Sequence, residues 1–216
     1  METKKNKHNT STKDYRKEFL LKMYDQMLND INTHILVVWQ SIGVLIGAFA
    51  IFALVERQVV PIDFACGIFI LIATWLIAHL YDASYWYNRN LAIIANIERQ
   101  FLAQQDLCNI HYYFGEHRKP NVMLKHLRIQ WIFGIILTLL ILLYHYLDRI
   151  QPFFAVKCQN FTIGIIIPYV VLVVCLIFLI LFRNNRNQAY KEFLKNSPCI
   201  KIDTTGIEYG VGHPTD

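Results

Sequence analysis

Apolar residues along this chain are gathered into four blocks: Ile35 to Val55, Ile62 to Leu80, Ile129 to Leu147 and Ile163 to Phe182. Each is close to the ~20 residues a helix needs to cross a hydrocarbon core of about 30 Å at ~1.5 Å rise per residue. The pattern predicts an all-α membrane protein with four transmembrane helices, at residues 34–56, 61–81, 129–147 and 162–182. Residues 1–12 are polar and lysine-rich and are expected to lack order. In residues 13–33 the pattern changes: Phe19, Leu20, Met23, Tyr24, Met27, Leu28 and Ile31 recur at the spacing of one helical face. This is read as a cytosolic amphipathic helix. Its acidic residues Asp14, Glu18, Asp25 and Asp30 favour packing against other cytosolic helices over lying on the bilayer.

The rest of the chain is organised around the second block. Residues 61–102 read as one long helix that crosses the bilayer and continues into the cytosol. Pro61 suits the first helical turn, Asp63 suits the positive end of the dipole, and no Pro or Gly follows Gly67. Beyond residue 81, Asp82, Arg89 and Asn96 recur every seven residues as a polar column. Leu91, Ile94, Ile97 and Phe101 make an apolar face that needs covering in water. They are a candidate partner surface, and the face at residues 13–31 offers a match for it. Residues 82–128 are assigned to this cytosolic helical extension and a loop, and residues 148–161 to an outer loop. Residues 183–216 form a cytosolic tail. In that tail Ile200 and Ile202 are placed to pair with Ile207 and Tyr209 in a short hairpin. Gly43 and Gly47 in the first crossing match the small-xxx-small pattern of close helix packing. Pro168 is expected to bend the fourth crossing.

Composition agrees with this layout. Of 216 residues 55% are hydrophobic and 17% charged, less charge than a soluble domain carries. Charge also sets orientation. Of the 21 lysines and arginines, only Arg57, Arg149 and Lys157 fall in the links after the first and third crossings. The positive-inside rule then places both termini and the middle link in the cytoplasm of a cell with an inner (plasma) membrane. The formal charge of +5 is accounted for by orientation and anionic headgroups. Nucleic acid is not expected as a partner, because no segment interleaves dense basic and aromatic residues. The first block follows a long charged segment with no cleavage pattern, so it is expected to be an uncleaved anchor. Five cysteines are scattered, Cys158 alone on the outer side, and no intrachain disulfide is expected.

Candidate chemistry is sparse. Asp106, Cys108, His111, Glu116, His117 and His126 are metal-capable, but their spacing matches no zinc pattern. There is no G-x-S-x-G, P-loop or H-E-x-x-H sequence. The expectation is a non-enzyme without cofactor or metal. His79/Asp82 and His145/Asp148 each share a helix face at i, i+3. They read as pH-sensitive latches or, preferably, as polar markers of helix ends. Between the boundaries stand Thr74 and Thr138 but no Asp, Glu, Lys or Arg, which disfavours an ion-coupled carrier. A pore shared among subunits and gated by an apolar constriction stays compatible with the sequence.

Three features together resemble the small four-transmembrane and SLATT-type effectors of bacterial antiphage systems. They are the amphipathic stretch Tyr15 to Ile31, the paired crossings, and the extended helix from Tyr81-Asp-Ala-Ser-Tyr-Trp-Tyr-Asn-Arg-Asn-Leu91 to Glu98-Arg99-Gln100-Phe101. The resemblance is one of arrangement and transfers no functional residue. It implies a homo-oligomer that answers a cytosolic protein partner or a nucleotide signal by permeabilising the inner membrane. The alternative is a non-catalytic membrane anchor or scaffold that recruits a cytosolic partner enzyme.

Overall fold

A computed structural model of the protein describes residues 2–101, 121–152 and 162–196. Among the described residues the secondary structure is entirely helical. Helix α1 is Glu2–Ala48, α2 is Ala50–Glu56, α3 is Ile62–Phe101, α4 is Lys125–His145 and α5 is Ile167–Asn196. A π-helical turn, Tyr146–Ile150, extends α4, and a 3-10 turn, Ile163–Ile166, leads into α5. Four stretches are long and apolar enough to cross a membrane: Asp14–Glu56, Ile62–Glu98, Lys125–Ile150 and Ile163–Asn196.

Several local outcomes follow from backbone chemistry. No Pro or Gly occurs before Gly43. Helix therefore propagates from Glu2 through the stretch expected to lack order and on into the first apolar block. The break at Phe49 comes where Gly47 weakens the helix. There the Phe49 N–H donates to the Ile46 carbonyl at 3.1 Å, and the Phe52 N–H to that of Phe49 at 3.0 Å. Helix α2 ends in a Schellman turn: the Gln58 N–H donates to the Val55 carbonyl at 2.8 Å, and the Val59 N–H to that of Leu54 at 2.9 Å. Gln58 takes the left-handed position, φ 59°, that glycine usually fills. Helix α3 is continuous from Ile62 to Phe101, as Pro61 and the absence of later breakers require. Pro168 lies in the first turn of α5, directly after the 3-10 turn, where a missing N–H costs little. The tail hairpin at residues 200–209 and the loop 103–120 lie outside the described residues, as does most of the outer loop 148–161.

The chain divides into two compact units. One combines Ile35–Tyr85 with Val122–Ala189. Here α3 is the central helix: 56% of its membrane-length window is buried, against 17–22% for the other three. Phe49 meets Phe69 edge-on at 5.0 Å, and Phe52 lies 6.1 Å from the same ring, so α1 and α2 pack on α3. Trp131 donates to the Tyr81 hydroxyl at 3.1 Å and His145 meets Asp63 at 2.9 Å, which makes α4 antiparallel to α3. Gly67 faces Ile167 and Val171, and Asp82 faces Arg186, which makes α5 parallel to α3. Cys66, Phe69, Leu76 and Leu80 are fully buried in the shared core with Leu45. At Gly134 an added Cβ would stand 3.6 Å from Ile77 and 3.7 Å from Leu76, so a small residue sets the α3–α4 approach.

The second unit contains the described parts of Met1–His34, Trp86–Asn121 and Tyr190–Asp216. Helix α1 runs antiparallel to the later turns of α3. Arg16 donates to Gln100 at 3.2 Å, Tyr24 to Glu98 at 3.3 Å, and His34 stacks on Trp86 at 6.1 Å. Leu91, Ile94 and Ile97 are buried, as is Ile31 of α1. Tyr190 of α5 is buried in this unit too.

Candidate functional site

The best-built polar cluster among the described residues surrounds Asp63. Asp63 occupies the first turn of α3, where the helix dipole favours a carboxylate. His145 and Arg149 lie four apart at the end of α4 and in the π turn, so both project from one face. His145 Nε2 is 2.9 Å from Asp63 Oδ1. Arg149 grips the same carboxylate with two bonds, Nε to Oδ1 at 3.2 Å and one terminal nitrogen to Oδ2 at 3.1 Å. His145 Nδ1 is 3.2 Å from the Tyr169 hydroxyl in α5. With the imidazole neutral and its proton on Nε2, every contact has a donor and an acceptor: Tyr169 donates to Nδ1, and Nε2 donates to Asp63.

Burial gives this cluster its weight. The His145 side chain is 0% exposed and that of Asp63 5%, while Arg149 keeps 38% of its surface. A carboxylate withdrawn from water to that extent needs a compensating cation and aligned donors, and this one has both. Gly164 of the 3-10 turn completes the enclosure: a Cβ there would fall 2.8 Å from Asp63 Oδ2. The cluster therefore pins the start of α3, the end of α4 and the approach to α5. Its chemistry is that of a latch in which one buried carboxylate meets a guanidinium and an imidazole.

The second polar cluster stands at the other end of the same unit. Asp82 faces Arg186, with Oδ1 3.2 Å from Nε. The N–H is not aligned with the oxygen, so this is an ion pair without a formed hydrogen bond. The Arg186 guanidinium also lies over the rings of Tyr85 at 5.5 Å and Phe182 at 5.2 Å. Arg183 lies over Tyr81 at 5.9 Å.

The residues singled out by sequence have distinct fates. Asp82, Arg89 and Asn96 lie on one helix but share no ligand site: Asp82 turns to Arg186, and Arg89 lies over Trp86 at 4.9 Å and Phe193 at 5.6 Å. Asn96 has an interaction of its own. Of the candidate partner surface, Leu91, Ile94 and Ile97 are already buried within their unit, which leaves Phe101 as its one exposed member. Gly43 and Gly47 face open space, with no atom within 4 Å of an added Cβ at either. His79 packs edge-on against Trp75 at 4.5 Å, and His145 turns to Asp63, so the two i, i+3 pairings give way to contacts with other partners. Of the metal-capable loop residues only His126 is described. Among the described residues no group of three or more His, Cys, Asp or Glu could hold a metal ion.

Sequence reasoning missed the Asp63 cluster because its members sit in three separate segments. The i, i+4 spacing of His145 and Arg149, placed opposite Asp63 by alternating crossings, was the available signal. Comparison of the chain with family models, with curated proteins and with solved structures gives no match.

Proposed function

We propose that this chain is a non-enzymatic, multi-pass protein of an inner (plasma) membrane, with both termini in the cytoplasm. It works as a homo-oligomer that perturbs or gates the bilayer when a cytosolic protein partner engages its cytosolic helices. The observation that carries this reading is the distribution of apolar surface. One membrane-length stretch, in α3, has just over half of its window buried, while the other three turn most of theirs outward, with residues such as Leu36, Leu139, Leu140, Val173, Val174 and Leu181 exposed. Outward apolar surface on this scale suits lipid or further copies of the chain. The interior of a single copy is filled by Phe69, Leu76 and Leu80. A water path would therefore run between copies, and pore activity in this reading requires assembly.

A second reading, a passive anchor that recruits a cytosolic enzyme, is favoured by that same closed core. Induced expression in cells loaded with a potential-sensitive dye separates the two. The effector reading expects depolarisation and arrested growth once the activating partner is present. An anchor leaves potential and growth unchanged and co-purifies with its partner. If potential and growth stay untouched under activating conditions, the effector reading is lost.

A further inference from the structure

From the guanidiniums held over aromatic rings at the Asp82 end, we infer that Arg183 and Arg186 form a seat for the phosphate of an anionic phospholipid headgroup. The inference rests on the membrane reading above and adds a ligand to it. Along α3, Asp82 follows Asp63 by 19 residues, about 28 Å of helix, so it stands one hydrocarbon thickness from the buried latch. Phe182 closes the long apolar run of α5, and Arg183 is the next residue. A guanidinium at that level lies at headgroup depth.

The ring contacts prepare these cations for a phosphate. The guanidinium of Arg183 lies over Tyr81, and the hydroxyl of Tyr81 is itself fixed by the indole N–H of Trp131 at 3.1 Å. Arg186 lies over Tyr85 and Phe182, and Phe182 stacks on Phe178 at 5.7 Å. A guanidinium held over a ring face is attracted by the ring without spending an N–H donor on an acceptor, so its donors stay available to a phosphate. Arg183 is exposed and has no carboxylate partner among the described residues. Asp82 balances Arg186, whose Nε is buried, so a headgroup would engage this arginine through its terminal nitrogens. One acid against two preorganised arginines leaves a net positive seat. An anionic headgroup meets both its charge and its donors, whereas a zwitterionic headgroup brings a cation of its own.

Quenching of Trp131 tests this. With Trp39, Trp75 and Trp86 changed to Phe, Trp131 is the one indole left, within a hydrogen bond of the seat. The full chain is placed in phosphatidylcholine nanodiscs doped, in parallel, with dibrominated phosphatidylcholine or with dibrominated phosphatidylglycerol at equal mole fraction. The expected result is stronger quenching by the anionic lipid. Replacing Arg183→Gln should weaken that preference by up to about fivefold, the effect of one basic residue at an anionic surface. Because Arg183 is exposed, this variant should elute and melt like its parent. Arg183→Lys should retain part of the preference. Native mass spectrometry of unmutated protein, counting phosphatidylglycerol retained, supplies a second readout that needs no tryptophan changes. Equal quenching by both lipids, or a preference that survives R183Q, overturns the seat while leaving the membrane reading intact. Displacement of the anionic lipid by inorganic phosphate would make it a site for a free anion and overturn the lipid assignment. A chain that stays outside the discs overturns the membrane reading itself, and the seat with it.

Discussion

The two ends of the four-helix unit use the same pair of residue types for opposite purposes. At one end Asp63 meets Arg149, and at the other Asp82 meets Arg186, both acids on α3 and both arginines from another helix. Asp63 is nearly sealed from solvent, held by two bonds from Arg149 and joined by a fully buried histidine. Asp82 and Arg186 keep about a third of their side-chain surface, 34% and 30%, and their contact lacks hydrogen-bond alignment. The first arrangement fixes three helix ends. The second holds its cations more loosely, by aromatic faces together with one partly exposed acid. An ion pair's consequence thus depends on its burial and alignment more than on its partners.

Breaking the sealed end should have the largest effect. Asp63→Ala leaves Arg149 without its acid and His145 Nε2 buried without its carboxylate partner. Removing one partner of a buried pair costs about 3–5 kcal/mol. For a chain of this size that lowers the thermal midpoint by roughly 6–20 °C, read in detergent from unfolding-dependent labelling of the buried thiols Cys66 and Cys175. A midpoint equal to wild type would remove the contrast between the ends. Gly164→Ala attacks the same latch from its enclosure. Its Cβ would fall 2.8 Å from Asp63 Oδ2, an oxygen that Arg149 already holds, so either the 3-10 turn or the carboxylate must move. The expected loss is about 1–3 kcal/mol, the usual range for overpacking. Combined with Asp63→Ala it should add little, because the carboxylate it strikes is then gone.

At the open end the expected effect is smaller. Asp82→Asn removes the acid facing Arg186, but both side chains are partly solvated and the guanidinium keeps two ring contacts. The loss should lie within about 0–1 kcal/mol, a shift of a few degrees at most in the same labelling assay. A loss comparable to that of Asp63→Ala would show the two ends to be energetically alike.

The architecture was legible because helices able to cross a membrane announce themselves through length and uninterrupted apolarity. The long helix α3 was legible for a related reason: Pro61 and Gly67 are followed by 34 residues up to Phe101 without a backbone breaker. The helical run through residues 2–12 was hidden because polar composition resembles disorder, while the absence of Pro and Gly carried the opposite information. The latch was illegible for a different reason. Asp63 alone is a dipole-stabilised carboxylate, Arg149 alone an outer basic residue, and His145 alone a boundary marker. Only the alternation of helix directions, combined with register to within one turn, brings them together. Hydrophobic periodicity fixes which face turns inward but not the sliding of one helix along another, so the i, i+3 reading of His145 with Asp148 stayed as available as the true contact with Asp63. Covering of Leu91, Ile94 and Ile97 was anticipated as a need, and all three are buried.

The smallest effect on stability belongs to Gly43→Ala and Gly47→Ala, and it sharpens the comparison by testing a surface that neither end uses. Both glycines lie on the exposed face of α1, with nothing within 4 Å of an added Cβ. By contrast, Gly164 is crowded by Asp63 and Gly134 by Ile77 and Leu76. In a single copy the new methyl groups meet no neighbour, and alanine is the better helix former by up to about 1 kcal/mol per site. The thermal midpoint of each variant should therefore equal or slightly exceed that of wild type. If copies of the chain associate through this face, the same methyl groups would hold two helices apart, and the oligomer should dissociate without loss of folded protein. Mass measurement by light scattering in detergent, alongside the thiol-labelling melt, reads both quantities on one sample. A lowered midpoint would mean that the glycines pack within the chain after all. An unchanged midpoint and unchanged mass would place any contact between copies on some other face of the unit.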